Sequence, residues 1–132
     1  MSLAGQKILI VDDDMRNVFA LTAALERQQV QVVSVQSGEA AIDALAADDS
    51  IRIVLMDVMM PGMDGYQTMR IIREDLRFRD LPIIALTAKA MQGDREQCLQ
   101  AGASGYLSKP VKLEDLMEVM EQLLAKKRRY LT

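Results

Sequence analysis

Asp57 ends an almost unbroken apolar run, IRIVLM (Ile51 to Met56), and the turn residues Pro61 and Gly62 follow it closely. A second run, KILIV (Lys7 to Val11), stops in the same way on three acids, Asp12, Asp13 and Asp14. A third, IIAL (Ile83 to Leu86), delivers the hydroxyl of Thr87, and Lys109 stands before Pro110 just after Tyr106 and Leu107. The chain has no histidine and one cysteine, Cys98, which removes the usual general base and the usual zinc ligands. Any chemistry here rests on carboxylates, hydroxyls and lysines. Carboxylates gathered together raise one another's pKa unless a cation compensates, and an all-oxygen set suits magnesium or manganese before zinc. A carboxylate is also a nucleophile that can form an acyl phosphate, and phosphoryl transfer asks mainly for positioning and neutralisation of charge. Asp57 as nucleophile, a metal on Asp12 and Asp13, Lys109 as fixed positive charge and Thr87 as hydroxyl donor meet that demand. Taken singly, each has an ordinary reading as a helix cap, a turn hydroxyl or a surface lysine. Only their convergence makes a site.

Convergence depends on the elements that carry them. The runs at Lys7–Val11, Ile51–Met56 and Ile83–Leu86 are short and continuous, as strands buried on both faces of a parallel sheet are. Val30–Val35 and the short segment at Tyr106 and Leu107 read as two more strands. Between them the apolar residues recur at helical intervals: Val18, Leu21 and Leu25 behind a cap at Asp14; Ala41, Ile42 and Leu45 behind Ser37; Met69, Ile72 and Leu76 behind Asp64. A weaker helix carries Cys98 and Leu99 and stops at Gly102, and a strong last one carries Leu113, Leu116, Met117, Met120, Leu123 and Leu124. Strict alternation of strand and helix implies parallel pairing through right-handed crossovers. The expected fold is an α/β flavodoxin-like (βα)5 three-layer sandwich whose five-stranded parallel sheet has the order 2-1-3-4-5. In such a sheet all strand carboxyl ends share one edge, and Asp12, Asp13, Asp57, Thr87 and Lys109 meet there.

The length of 132 residues suits one domain, read as residues 6–125, with an N-terminal tail or expression scar at 1–5 and a basic C-terminal tail at 126–132. The tail KKRRY reads as a solvated charge run at a helix carboxyl end, where cations suit the dipole. A net charge of −3 argues against a general nucleic-acid binder. No apolar run approaches the ~20 residues that span a bilayer, and no secretory signal opens the chain, so the expected setting is cytoplasmic. No glycine-rich phosphate loop follows Val11, and Met59 stands where a haloacid-type phosphatase carries a second acid. A flavin carrier would want a hydroxyl- and glycine-rich first loop in place of three aspartates.

Over residues 6–125 the chain resembles the receiver domain of two-component response regulators. The resemblance is carried by the acids of KILIVDDD, the context LMDVMMPGMDGY, the hydroxyl in IIALTA and the lysine and proline of GYLSKP. The phrases DDDMRN, IIALTAKAM and AGASGYLSKP are most similar to receivers of hybrid histidine kinases. The resemblance implies that Asp57 accepts a phosphoryl group from a phosphohistidine on a histidine kinase or phosphotransfer domain. It also implies that Asp12 and Asp13 hold magnesium with the backbone carbonyl of Met59, and that Thr87, Tyr106 and Lys109 carry the response. The receiver would hydrolyse its own aspartyl phosphate. Inward movement of Thr87 and rotation of Tyr106 would change the surface of the fourth helix, fifth strand and fifth helix, where a downstream target docks. A pseudo-receiver typically lacks an acid or the lysine, and none is missing here.

Three neighbouring residues are expected to tune the site. Met59 hinders an attacking water and so prolongs the phosphorylated form. Ala88 is small and keeps the pocket open to a donor, while Lys89 either pairs with the acids or is exposed. Lys109–Pro110 is a candidate cis peptide, since only proline makes that conformation cheap.

Overall fold

A computed structural model describes residues 3–88 and 92–131, the side chains of Gln92 and residues 127–131 excepted. Five strands and five helices alternate along it: β1 (Lys7–Val11), α1 (Met15–Glu26), β2 (Gln31–Val35), α2 (Gly38–Ala47), β3 (Ile51–Asp57), α3 (Gly65–Glu74), β4 (Ile83–Thr87), α4 (Gln92–Ala101), β5 (Gly105–Ser108) and α5 (Leu113–Leu131). The strands form one parallel sheet in the order β2-β1-β3-β4-β5, the flavodoxin-like arrangement expected from the alternation.

Side chains of successive strand residues point to opposite faces, and the two cores divide accordingly. Ile8 and Ile10 of β1, with Ile53, Leu55, Ile84 and Leu86, pack against Val18, Leu21 and Leu25 of α1 and Leu116, Met120 and Leu124 of α5. Leu9 and Val11, with Val54, Met56, Ile83 and Ala85, pack against Ala41 and Leu45 of α2, Met69 and Ile72 of α3, and Cys98 of α4. Both faces of the three central strands are therefore dry, which is why their sequences are continuous apolar runs instead of alternating ones.

The helix starts follow the side chains at their caps. Asp14, Ser37 and Asp64 each accept a backbone N–H of the first turn, and Asp64 forms a capping box with Gln67. One expectation is corrected. Leu76 does not belong to the apolar stripe of α3: the helix ends at Glu74, Asp75 is extended and accepts Arg77 N–H, and a 3-10 turn at Leu76–Phe78 leaves Leu76 80% exposed. Phe78 packs against the core in its place. Leu3, within the stretch read as a tail, is buried in the same cluster as Ile8, Ile10 and Leu25. The basic run from Lys126 lies on the backbone of α5, which continues to Leu131.

Candidate functional site

Strand register sets the site. Val11 pairs with Met56, so Asp12 and Asp57 leave β1 and β3 side by side at the point where strand order reverses. Asp57 pairs with Leu86, which puts Thr87 one residue further along β4, and Thr87 pairs with Ser108, which puts Lys109 one step beyond again. Residues dispersed over nearly a hundred positions thus form one staggered rim. Backbone bonds fix the steps: Val58 N–H donates to Leu86 O at 3.1 Å, and Lys109 N–H to Thr87 O at 2.7 Å. Gly65 is required behind them, since a Cβ there would collide with the backbone oxygen of Asp57 and the Cα of Val58.

Asp12 and Asp57 are buried and Asp13 is exposed, and one carboxylate oxygen from each lies within 4.8 Å of the others. The Lys109 ammonium bridges the two buried acids, 3.3 Å from Asp12 Oδ2 and 3.2 Å from Asp57 Oδ1. Met59 N–H donates to Asp57 Oδ1 at 3.2 Å, and Asp14 N–H donates to Asp12 Oδ1 at 2.9 Å. Burial pushes the Asp57 carboxyl up to about 6 and the charge of Asp12 adds to this, against the pull of Lys109 and the Met59 N–H. Burial lowers the pKa of the Lys109 ammonium, but Asp57 and Asp12 outweigh it and hold the group above its ordinary value.

Among the described residues three carboxylates face one ammonium, so the cluster is short of positive charge. Its donors are all oxygen, and one of the three acids is open to solvent. That set fits a hard divalent cation that retains waters, magnesium above all.

The other expected site residues fall around this centre. Thr87 is buried at the end of β4, Ala88 is exposed beside it, and the Met59 side chain is 59% exposed at the rim. Lys89 lies outside the described residues. The Lys109–Pro110 peptide is cis. Tyr106 is half-buried on the face covered by α4, where burial together with Asp94 and Cys98 raises its phenol pKa. It stands among Tyr66, Cys98 and Asp94, one of whose carboxylate oxygens is buried without a hydrogen-bond partner among the described residues.

One contact was not foreseen. Asn17 Nδ2 donates to Asp12 Oδ2 at 2.6 Å, shorter than the lysine contact to the same oxygen. Its only sequence signal is an asparagine inside the first turn of a helix, a position that helix propensity does not favour.

Comparison with known proteins places this geometry. The response regulator receiver domain model matches residues 8–121. PleD of Caulobacter vibrioides is 42% identical over 111 residues, 84% of this chain but 24% of PleD, so the chain spans about a quarter of that relative. PilH of Pseudomonas aeruginosa is 37% identical over 119 residues, 90% of this chain and 98% of PilH. The receiver domain of the sensor histidine kinase PA1611 of P. aeruginosa, solved with magnesium coordinated in its active site cleft, superimposes with a TM-score of 0.85 at 40% identity. That match covers 92% of this chain and 99% of the other. With β1, β3, β4 and β5 bringing two buried acids, a threonine and a lysine to one sheet edge, the chain belongs to the response regulator receiver domain family of two-component signalling.

Proposed function

We propose that Asp57 accepts a phosphoryl group from a phosphohistidine on a histidine kinase or histidine phosphotransfer domain. The observation that carries this reading is the buried Asp57 carboxylate held between Asp12 and the Lys109 ammonium at the β1/β3 edge. The chain has no histidine, so the donor must supply one. An Asp57 oxygen attacks phosphorus, the phosphorus–nitrogen bond breaks, and the donor imidazole takes the electron pair and a proton. Attack of water later returns the carboxylate and inorganic phosphate. The chain promotes both steps on itself and acts on no separate substrate. Asp12, Asp13, Asp57 and the backbone carbonyl of Met59 would hold the magnesium ion, with manganese as a substitute. Magnesium when bound offsets the negative charge that develops on the transferring oxygens. Lys109 contributes fixed positive charge to the phosphoryl group, and the Thr87 hydroxyl donates to it.

Drawing Thr87 inward gives Tyr106 room to rotate, biasing a two-state equilibrium at the α4-β5-α5 face, where a downstream protein target docks. The domain works in the cytoplasm without direct contact to nucleic acid or membrane. No described helix is long and apolar enough to cross a bilayer. The test is intact mass after incubation with acetyl phosphate, with and without magnesium, followed by transfer from a phosphorylated phosphotransfer domain. A single magnesium-dependent phosphoryl adduct, lost in Asp57→Asn, is the expected result. An adduct that survives in Asp57→Asn would move the acceptor elsewhere.

A further inference from the structure

Asp12 is wholly buried, and three donors hold its two oxygens. Oδ1 accepts from Asp14 N–H at 2.9 Å. Oδ2 accepts from Asn17 Nδ2 at 2.6 Å and from Lys109 Nζ at 3.3 Å. An ionised carboxylate only accepts hydrogen bonds, so the amide nitrogen of Asn17 and not its oxygen must face it. A neutral donor and a charged one thus share a single oxygen, and the neutral one is closer. The charged one is also 3.2 Å from Asp57 Oδ1. If Lys109 is drawn toward a phosphoryl group on Asp57, it leaves Asp12, and stripping a donor from a buried carboxylate is costly.

We infer that Asn17 is a positioning residue for Asp12, resting on the reading of Asp57 as phosphoacceptor. Its amide holds the Asp12 carboxylate in the orientation in which, with Asp13 and Asp57, it would hold the divalent cation, and it remains as a donor when Lys109 moves. The local structure supports this division of labour. Asn17 is the third residue of α1, and the first turn is already capped by Asp14, which accepts Arg16 N–H at 3.0 Å. The asparagine is therefore not needed as a cap, and asparagine is a poor residue for a helix interior because its side chain competes for backbone groups. Here the side chain reaches back across the Asp14 turn to the acid instead. The amide's orienting contact on a metal-ligating carboxylate is of the kind whose loss typically lowers metal affinity.

The test is magnesium titration calorimetry on the unphosphorylated chain, comparing wild type with Asn17→Leu, which keeps the size without the donor, and Asn17→Gln, which keeps a donor. The rate of adduct formation from acetyl phosphate at saturating magnesium is the second readout. We expect Asn17→Leu to weaken magnesium binding by about tenfold and to slow phosphorylation even at saturating magnesium, with Asn17→Gln recovering part of both. Wild-type affinity in Asn17→Leu overturns the inference. So does an equal loss in the leucine and glutamine variants, which would assign the effect to shape and not to the donor. A wild type that gains an adduct while Asn17→Leu behaves identically sinks this inference alone. A wild type that neither binds magnesium nor gains an adduct sinks the phosphoacceptor reading and the inference with it.

Discussion

Met59 stands two residues beyond Asp57, and we propose that its side chain hinders an attacking water. Its N–H donates to Asp57 Oδ1 at 3.2 Å, while the residue is 59% exposed at the rim of the site. Substitution leaves the backbone contact intact and changes only the obstruction. Met59→Asn, smaller and able to hydrogen-bond a water, is expected to shorten the life of the phosphoryl adduct several-fold, up to about tenfold, equal to roughly 1.4 kcal/mol of barrier. The decay of the adduct after donor removal measures this, and an unchanged lifetime would remove Met59 from any role in access. At this scale the sequence was a good guide wherever position alone determines place. A polar residue at the carboxyl end of a buried strand must land on the sheet edge, which is why Asp12, Asp57 and Thr87 could be named in advance. Asn17 could not. Its role depends on a hydrogen bond back across a turn, and a spacing of five residues matches no helical or strand repeat.

The elements themselves were legible from periodicity, but their ends were decided by contacts that periodicity does not carry. Leu76 continues the spacing of Met69 and Ile72 and yet is 80% exposed, because Asp75 takes an extended conformation and starts a new turn. Ile72→Ala should therefore cost about 2–5 kcal/mol of unfolding free energy, whereas Leu76→Ser should stay within roughly 0.5 kcal/mol of wild type. Denaturant unfolding distinguishes them, and equal costs would contradict the end of α3 described above. The same corner depends on Arg73, which donates to Gly102 O at 2.9 Å, Phe78 O at 2.6 Å and Ser104 Oγ at 3.2 Å. Burial lowers its guanidinium pKa, opposed by Asp80, and none of these three partners is a carboxylate. It ties the end of α3 to the turn after α4, where Gly102 has φ +117 and a Cβ would crowd the Arg73 side chain. Arg73→Met keeps the stem and loses the donors. It is expected to destabilise by about 2–3 kcal/mol, because hydrogen bonds from charged donors rank among the stronger ones. No sequence pattern marks that contact, since two of these three partners are backbone oxygens and the third is a serine 31 residues away.

Across the whole molecule, alternation of strand and helix was enough to imply a parallel sheet covered on both faces, and that sheet gathers its carboxyl ends on one edge. The same gathering puts like charges together in a dry place, and stability must register it. In the metal-free protein Asp57 has its carboxyl raised to about 6, first by burial and then by Asp12, from an ordinary value near 3.8. Between these values the folded chain binds more protons than the unfolded chain, so stability falls as pH rises through that window. The contribution of the protonated acid is complete below the unfolded value and is lost above about 6. By linkage the loss is on the order of 3 kcal/mol. Asp57→Asn cannot ionise, and in EDTA it should overtake wild type in stability between pH 4 and pH 7 by about that amount. Magnesium should then stabilise wild type by RT ln(1 + [Mg]/Kd), about 2.7 kcal/mol at a hundred times Kd, and stabilise Asp57→Asn less because one carboxylate is gone. Parallel pH profiles for the two proteins in EDTA would mean that Lys109 already neutralises the edge. Diverging profiles that magnesium closes again would mean that the fold stores at this edge an electrostatic cost that a cation relieves.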